Sequence, residues 1–127
     1  MRLTRIWLVA SGAFLALYGL YCLYDPRSVA HLAGMSVRSG PAVTELRAMY
    51  GGLEIGLGGF FIYCGFRDTR VPLGLMGMVI CFGALGLTRT FGLLIDGMIG
   101  GYNISAALYE LMTAIIATAL LWWESDP

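Results

Sequence analysis

Four stretches of roughly 18–20 residues carry almost no charge, and each is long enough to cross a ~30 Å hydrocarbon layer as a helix rising about 1.5 Å per residue. They occupy positions 6–24, 48–66, 71–88 and 104–123, and Glu54 and Glu110 are the only charged residues inside them. A soluble helical bundle needs a polar outer face on each helix, and none of these stretches has one. Composition agrees: of 127 residues, 58% are hydrophobic and 13% charged, against about 25% charged in ordinary soluble domains. The chain is expected to be all-α, an antiparallel four-helix transmembrane bundle forming a single integral membrane domain over 1–127. Its spans are placed at about 6–24, 44–66, 71–94 and 104–123.

The connections carry the usual helix punctuation. Asp25-Pro26 reads as N-cap and first helical position of a short interfacial helix between spans one and two, lined on one side by Val29, Leu32 and Ala33 and ended by Gly34. Gly40-Pro41 opens the second span in the same way, with Glu45 in its first turn. Residues 67–70 make a tight turn before Pro72, and the glycine-rich 97–103 connection offers Asn103 as a cap for the fourth helix. Arg2 and Arg5 before an apolar run resemble a signal peptide, but the run exceeds the usual h-region of about 7–15 residues, so the segment reads as an uncleaved helix.

Arg2, Arg5, Arg67 and Arg70 gather at the end of the bundle that holds the termini, and Arg27 and Arg38 at the other. The positive-inside bias then puts both termini in the cytoplasm of a bacterial inner-membrane protein. Trp7, Trp122 and Trp123 fall toward the terminal side, and Tyr18, Tyr21, Tyr24, Tyr50, Tyr102 and Tyr109 toward the opposite interface.

The second stretch stands apart because charge and missing side chains share it. In 45–59, Arg47, Tyr50, Gly51, Glu54 and Gly58 fall on one helical face, which must hide from lipid against neighbouring helices. Gly51, Gly52, Gly56 and Gly58 are the expected packing positions, with Gly52 and Gly56 in GxxxG spacing. With helix ends aligned, Glu54 and Glu110 lie about 10 Å inside the same boundary, and Arg89 about 3 Å inside it. Ala106, Ala107, Thr113, Ala114 and Ala117 flank Glu110, which marks its face as packed. A polar cluster of Arg47, Tyr50, Glu54, Arg89, Asp96, Tyr109 and Glu110 is expected in the outer half of the membrane, either pinning helices together or holding a ligand.

Other chemistries lack their residues. Basic and acidic residues are equal at eight each with no basic block, so nucleic-acid binding is not expected. Cys22, Cys64 and Cys81 form no Cys-x-x-Cys, and the single histidine, His31, cannot supply two axial haem ligands. No P-loop or Ser–His–Asp arrangement is present, and neither a cofactor nor a metal is called for.

The run from Glu45 to Gly58, Arg89, the Asp96-Gly97 turn and Glu110 resemble a family of small bacterial four-helix membrane proteins of unknown function, distantly DoxX-like. The resemblance implies a four-helix membrane bundle and carries no activity. Some DoxX-like proteins are linked to respiratory or redox assemblies, a link that the lack of paired cysteines leaves without a thiol mechanism here. The expected role is a non-enzymatic accessory or assembly subunit, partnered by lipid and by other membrane subunits or a second copy. The alternative is a carrier, sensor or enzyme for a small polar or lipid-like ligand at the Arg/Glu cluster. The orientation is checked by reporter fusions: a cytoplasm-dependent reporter joined after Pro127 should be active, and one inserted near Ser36 inactive. The reverse pattern would invert the bundle.

Overall fold

The computed structural model describes residues 2–97 and 100–125, and these are helical almost throughout with no strand among them. Helix α1 spans Arg2–Tyr24 and is followed by the short α2, Pro26–Leu32, and α3, Gly40–Leu46. A π-helical turn over Arg47–Gly52 leads into α4, Leu53–Gly65. A 3-10 turn at Asp68–Arg70 then opens α5, Val71–Asp96, and α6 runs Gly101–Ser125. Three helical stretches, Arg2–Tyr24, Asp68–Asp96 and Gly101–Glu124, are long and apolar enough to cross a membrane.

The caps follow the sequence. Asp25 Oδ1 accepts from the Ser28 amide at 3.2 Å, and its Oδ2 accepts from the Ser28 hydroxyl at 2.6 Å. These bonds to the ionised form hold the Asp25 carboxyl below its usual range. Ser39 caps α3 by accepting from the Ala42 amide. Gly34 and Gly97 adopt φ of 77° and 68°, the left-handed region that only glycine enters freely, and so stop α2 and α5.

Two expectations change here. The inward side of α2 is Pro26, Val29 and Ala30, while Leu32 is exposed, because a seven-residue helix buries only one turn of its face. The second apolar stretch is not one uniform helix. Its π turn is marked by the Leu53 amide donating to Ala48 five residues back, at the point where Gly51 and Gly52 leave the backbone unencumbered. Helical dihedrals continue through Leu46, Arg47, Gly52 and Leu53, so 40–65 follows one path. Met98 and Ile99, within the expected 97–103 connection, lie outside the described residues.

Glycine sets how closely α1 and α4 approach. A methyl group at Gly58 would sit 2.5 Å from the Gly12 carbonyl oxygen, and one at Gly19 would sit 2.8 Å from the Gly51 carbonyl oxygen. Backbones touch there with no side chain between them, and the ascending α1 numbers meet descending α4 numbers. Gly52 and Gly56 were expected at packing positions, but they face away: a methyl at Gly56 meets nothing within 4 Å, and one at Gly52 only reaches the Arg47 carbonyl at 4.0 Å. The second close pair is α5 with α6, where Gly86 receives Leu111.

Between the two pairs lies an apolar core of Leu8, Phe61, Leu75, Met78, Phe82 and Ala117 with their neighbours. The end that holds the termini is tied by polar clamps. Arg5 donates to the Gly65 and Phe66 carbonyls and pairs with Asp68 at 3.2 Å, Thr4 donates to Glu124, and Arg70 lies 3.9 Å over the Tyr63 ring. The glycine geometry yields a paired test. Gly58→Ala must push backbones apart and should lower stability by about 1–3 kcal/mol, as overpacking does, whereas Gly56→Ala should be neutral or slightly stabilising. Thermal unfolding in mild detergent reads both.

Candidate functional site

Away from those clamps the core gives way to a cavity of about 300 Å³ between the two helix pairs. Helix α1 contributes Phe14, Leu15 and Tyr18, one turn of its inner face. The π turn contributes Tyr50, and α4 contributes Glu54 and Leu57. From α5 come Cys81, Phe82, Leu85 and Arg89, spaced to share one face, and from α6 Tyr102, Ser105, Ala106, Tyr109 and Glu110. Most of this wall is apolar or aromatic, and its charged groups are Arg89, Glu54 and Glu110.

The strongest contact in the wall joins α5 to α6. Arg89 Nε donates to Glu110 Oε2 at 2.9 Å and Nη2 donates to Oε1 at 2.8 Å, a bidentate pairing in which both carboxylate oxygens are engaged. Its Nη1 donates to Asn103 Oδ1 at 3.0 Å. Glu110 is 6% exposed, so its charge is tolerable only because Arg89 faces it. Glu54 lies across the cavity, on α4. It makes no hydrogen bond, and its Oε2 is shielded from the surroundings without a partner among the described residues.

Aromatic rings close the rest. Tyr109 stands 5.4 Å from Phe14 and 5.8 Å edge-on from Phe82, linking α1, α6 and α5. The Tyr18 and Tyr102 hydroxyls hydrogen-bond at 2.6 Å, joining α1 to α6 at the cavity rim.

Of the residues singled out from sequence, Tyr50, Glu54, Arg89, Tyr109 and Glu110 therefore share one cavity. Arg47 does not join them. It is exposed and donates to the Leu23 carbonyl at 2.7 Å, because the π turn lies between it and Glu54. Asp96 is exposed at the last residue of α5, two turns beyond Arg89, and also stands outside. Asn103, expected as a cap, lies inside α6, which begins at Gly101, and orients Arg89 instead.

Tyr18 and Tyr102, read as an interfacial belt, turn inward to each other. Nothing in the sequence marks Phe14 and Phe82 except that each sits one or two helical turns from a cluster or belt residue, and Cys81, considered there only as a thiol, lines the wall beside Phe82. Cys22 and Cys64 are buried as small apolar groups.

Residues 3–123 match a family described as a domain of unknown function (DUF4345). The chain belongs to this family. No curated protein and no solved structure matches it. The matched range includes every residue of the cavity wall, so the cavity lies wholly within the family domain.

The pairing separates two arginines that look alike in sequence. Arg89→Leu strands Glu110 and should cost about 3–5 kcal/mol, the usual loss when one member of a buried pair is removed. Adding Glu110→Leu should recover most of it. Arg47→Leu should change stability by less than about 1 kcal/mol, as expected of an exposed cation. Unfolding of the three variants in detergent checks the order.

Proposed function

We propose that this protein is a four-helix integral membrane protein whose cavity binds a small amphipathic molecule drawn from the surrounding lipid. Residues 40–65 make the remaining crossing. Their continuous helical path, roughly 39 Å at about 1.5 Å per residue, is long enough for it. The four crossings form an antiparallel bundle over 1–127. With the termini in the cytoplasm of a bacterial inner membrane, the cavity lies in the outer half.

The observation that carries this reading is the cavity itself. A subunit whose buried charges serve only to pin helices has no need of an unfilled interior, since packing to native density is what stabilises it. Here about 300 Å³ stays open beside a satisfied ion pair and an unsatisfied carboxylate. Apolar walls with a few convergent polar groups are the usual form of a small-molecule site.

Access follows from the unequal packing of the helices. The α1–α4 and α5–α6 pairs are tight, whereas α1 and α6 approach far less closely. Phe14, 56% exposed, rests on Tyr109 along that seam and Tyr18 bonds Tyr102 at the rim, so a molecule dissolved in lipid enters sideways between α1 and α6 only as these rings part.

The accessory-subunit reading retains one observation in its favour. Gly52, Gly56 and Gly59 are exposed together on the outward face of the second crossing, where another helix could approach closely.

Filling the cavity separates the two readings. Protein purified in mild detergent should carry a co-purifying small molecule, detected by extraction and mass spectrometry. Ala106→Phe, which places a ring in the cavity, should lose that molecule while keeping its melting temperature within a few degrees. A wild-type protein that carries no small molecule but holds a stoichiometric protein partner, undisturbed by Ala106→Phe, would favour the accessory role.

A further inference from the structure

The charges around the cavity do not balance, and the imbalance has a sign. Arg89 is matched by Glu110 through two hydrogen bonds, and its third engaged nitrogen is held by Asn103. Glu54 is the second carboxylate of the wall: its Oε2 is buried with no hydrogen-bond partner, and no salt bridge reaches it, among the described residues. A carboxylate kept from water is costly unless a proton or a cation accompanies it.

An anionic ligand would bring a further negative charge to a wall with two carboxylates and one guanidinium. A neutral one would leave Glu54 to be met by a proton alone. A cation corrects the balance.

The remaining wall suits a cation with an apolar body. Six of its residues are aromatic: Phe14, Tyr18, Tyr50, Phe82, Tyr102 and Tyr109. Ring faces attract an organic cation, most strongly where water is excluded. The volume of about 300 Å³ lies at the small end of ligand pockets. It admits one ring or a short chain and excludes a two-chain lipid.

We infer that the cavity selects a small lipophilic amine, its ammonium group against Glu54 and its apolar body among the aromatic rings of α1, α5 and α6. This inference rests on the ligand-binding reading above and adds to it the sign of the ligand and the residue that selects it. Glu54 is the anchor, and the Arg89–Glu110 pair is the neutral floor beside it.

Three probes of one shape test it: phenylbutylamine, phenylbutanol and phenylbutyrate, titrated into the purified protein in lipid nanodiscs at neutral pH, with empty nanodiscs as the partition control. The amine should bind at least about tenfold more tightly than the alcohol, the scale of a desolvated charge contact, and the acid should bind weakest. Glu54→Gln should bring the affinity for the amine down to that for the alcohol. Glu54→Asp, which keeps the charge, should retain part of the preference and guards against a folding defect in the amide variant.

If the alcohol or the acid binds as well as the amine, or if the preference survives Glu54→Gln, the selection by Glu54 is overturned while the cavity remains a binding site. If none of the three binds above the empty-nanodisc control, the ligand-binding reading itself falls, and the amine inference with it.

Discussion

A charged group held away from water must be met by another, and much of this structure is arranged around one such meeting. The Arg89 guanidinium grips both oxygens of Glu110, and the geometry requires α5 and α6 to stand at fixed height and rotation. Asn103, two turns before Glu110 on the same helix, takes a third guanidinium nitrogen. With α5 and α6 set in this way, Phe82 and Tyr109 face each other and Tyr102 comes within reach of Tyr18. The cavity wall is thus built outward from one ion pair.

The other helix pair obeys a different rule. Between α1 and α4 no charge pair is needed, because Gly12 against Gly58 and Gly19 against Gly51 let backbones touch. Close backbone contact gains dispersion energy over a long seam and makes α1 and α4 a single thick slab. The slab and the α5–α6 pair then meet through bulkier side chains, Phe61, Leu75 and Met78 at the core. Large side chains fill the half that holds the termini, where Arg5 and Thr4 also tie helix ends together. Toward the opposite end they give way to tyrosines and charged groups, whose polar tips cannot interlock as aliphatic side chains do, and space remains. The position of the cavity follows from this change in packing along the bundle axis.

The π turn at Arg47–Gly52 lies where these two rules meet. It widens the backbone at the level of Tyr50 and separates Arg47, which turns outward to the Leu23 carbonyl, from Glu54, which stays with the cavity. A regular helix would have put both on one face, two turns apart.

Much of the architecture is legible in the chain itself. The length of the charge-free stretches, the Asp25-Pro26 cap, the stop at Gly34, and the inward face of Ala107, Thr113, Ala114 and Ala117 all follow from local chemistry, because each depends only on neighbours along one helix. That two glutamates and an arginine come to one level of the helices follows from counting at a fixed rise per residue together with the reach of the Arg89 side chain.

What sequence could not decide is who faces whom. Depth is one coordinate, and rotation about each helix axis is set by contacts with other helices. Whether Arg89 meets Glu110 or Glu54, whether Gly56 packs or lies exposed, and whether Asn103 caps a helix or holds a guanidinium were all settled across helices. The π turn shifted the rotation of everything before it, and only the packed structure could place Arg47 outside the cavity and leave Glu54 inside it alone.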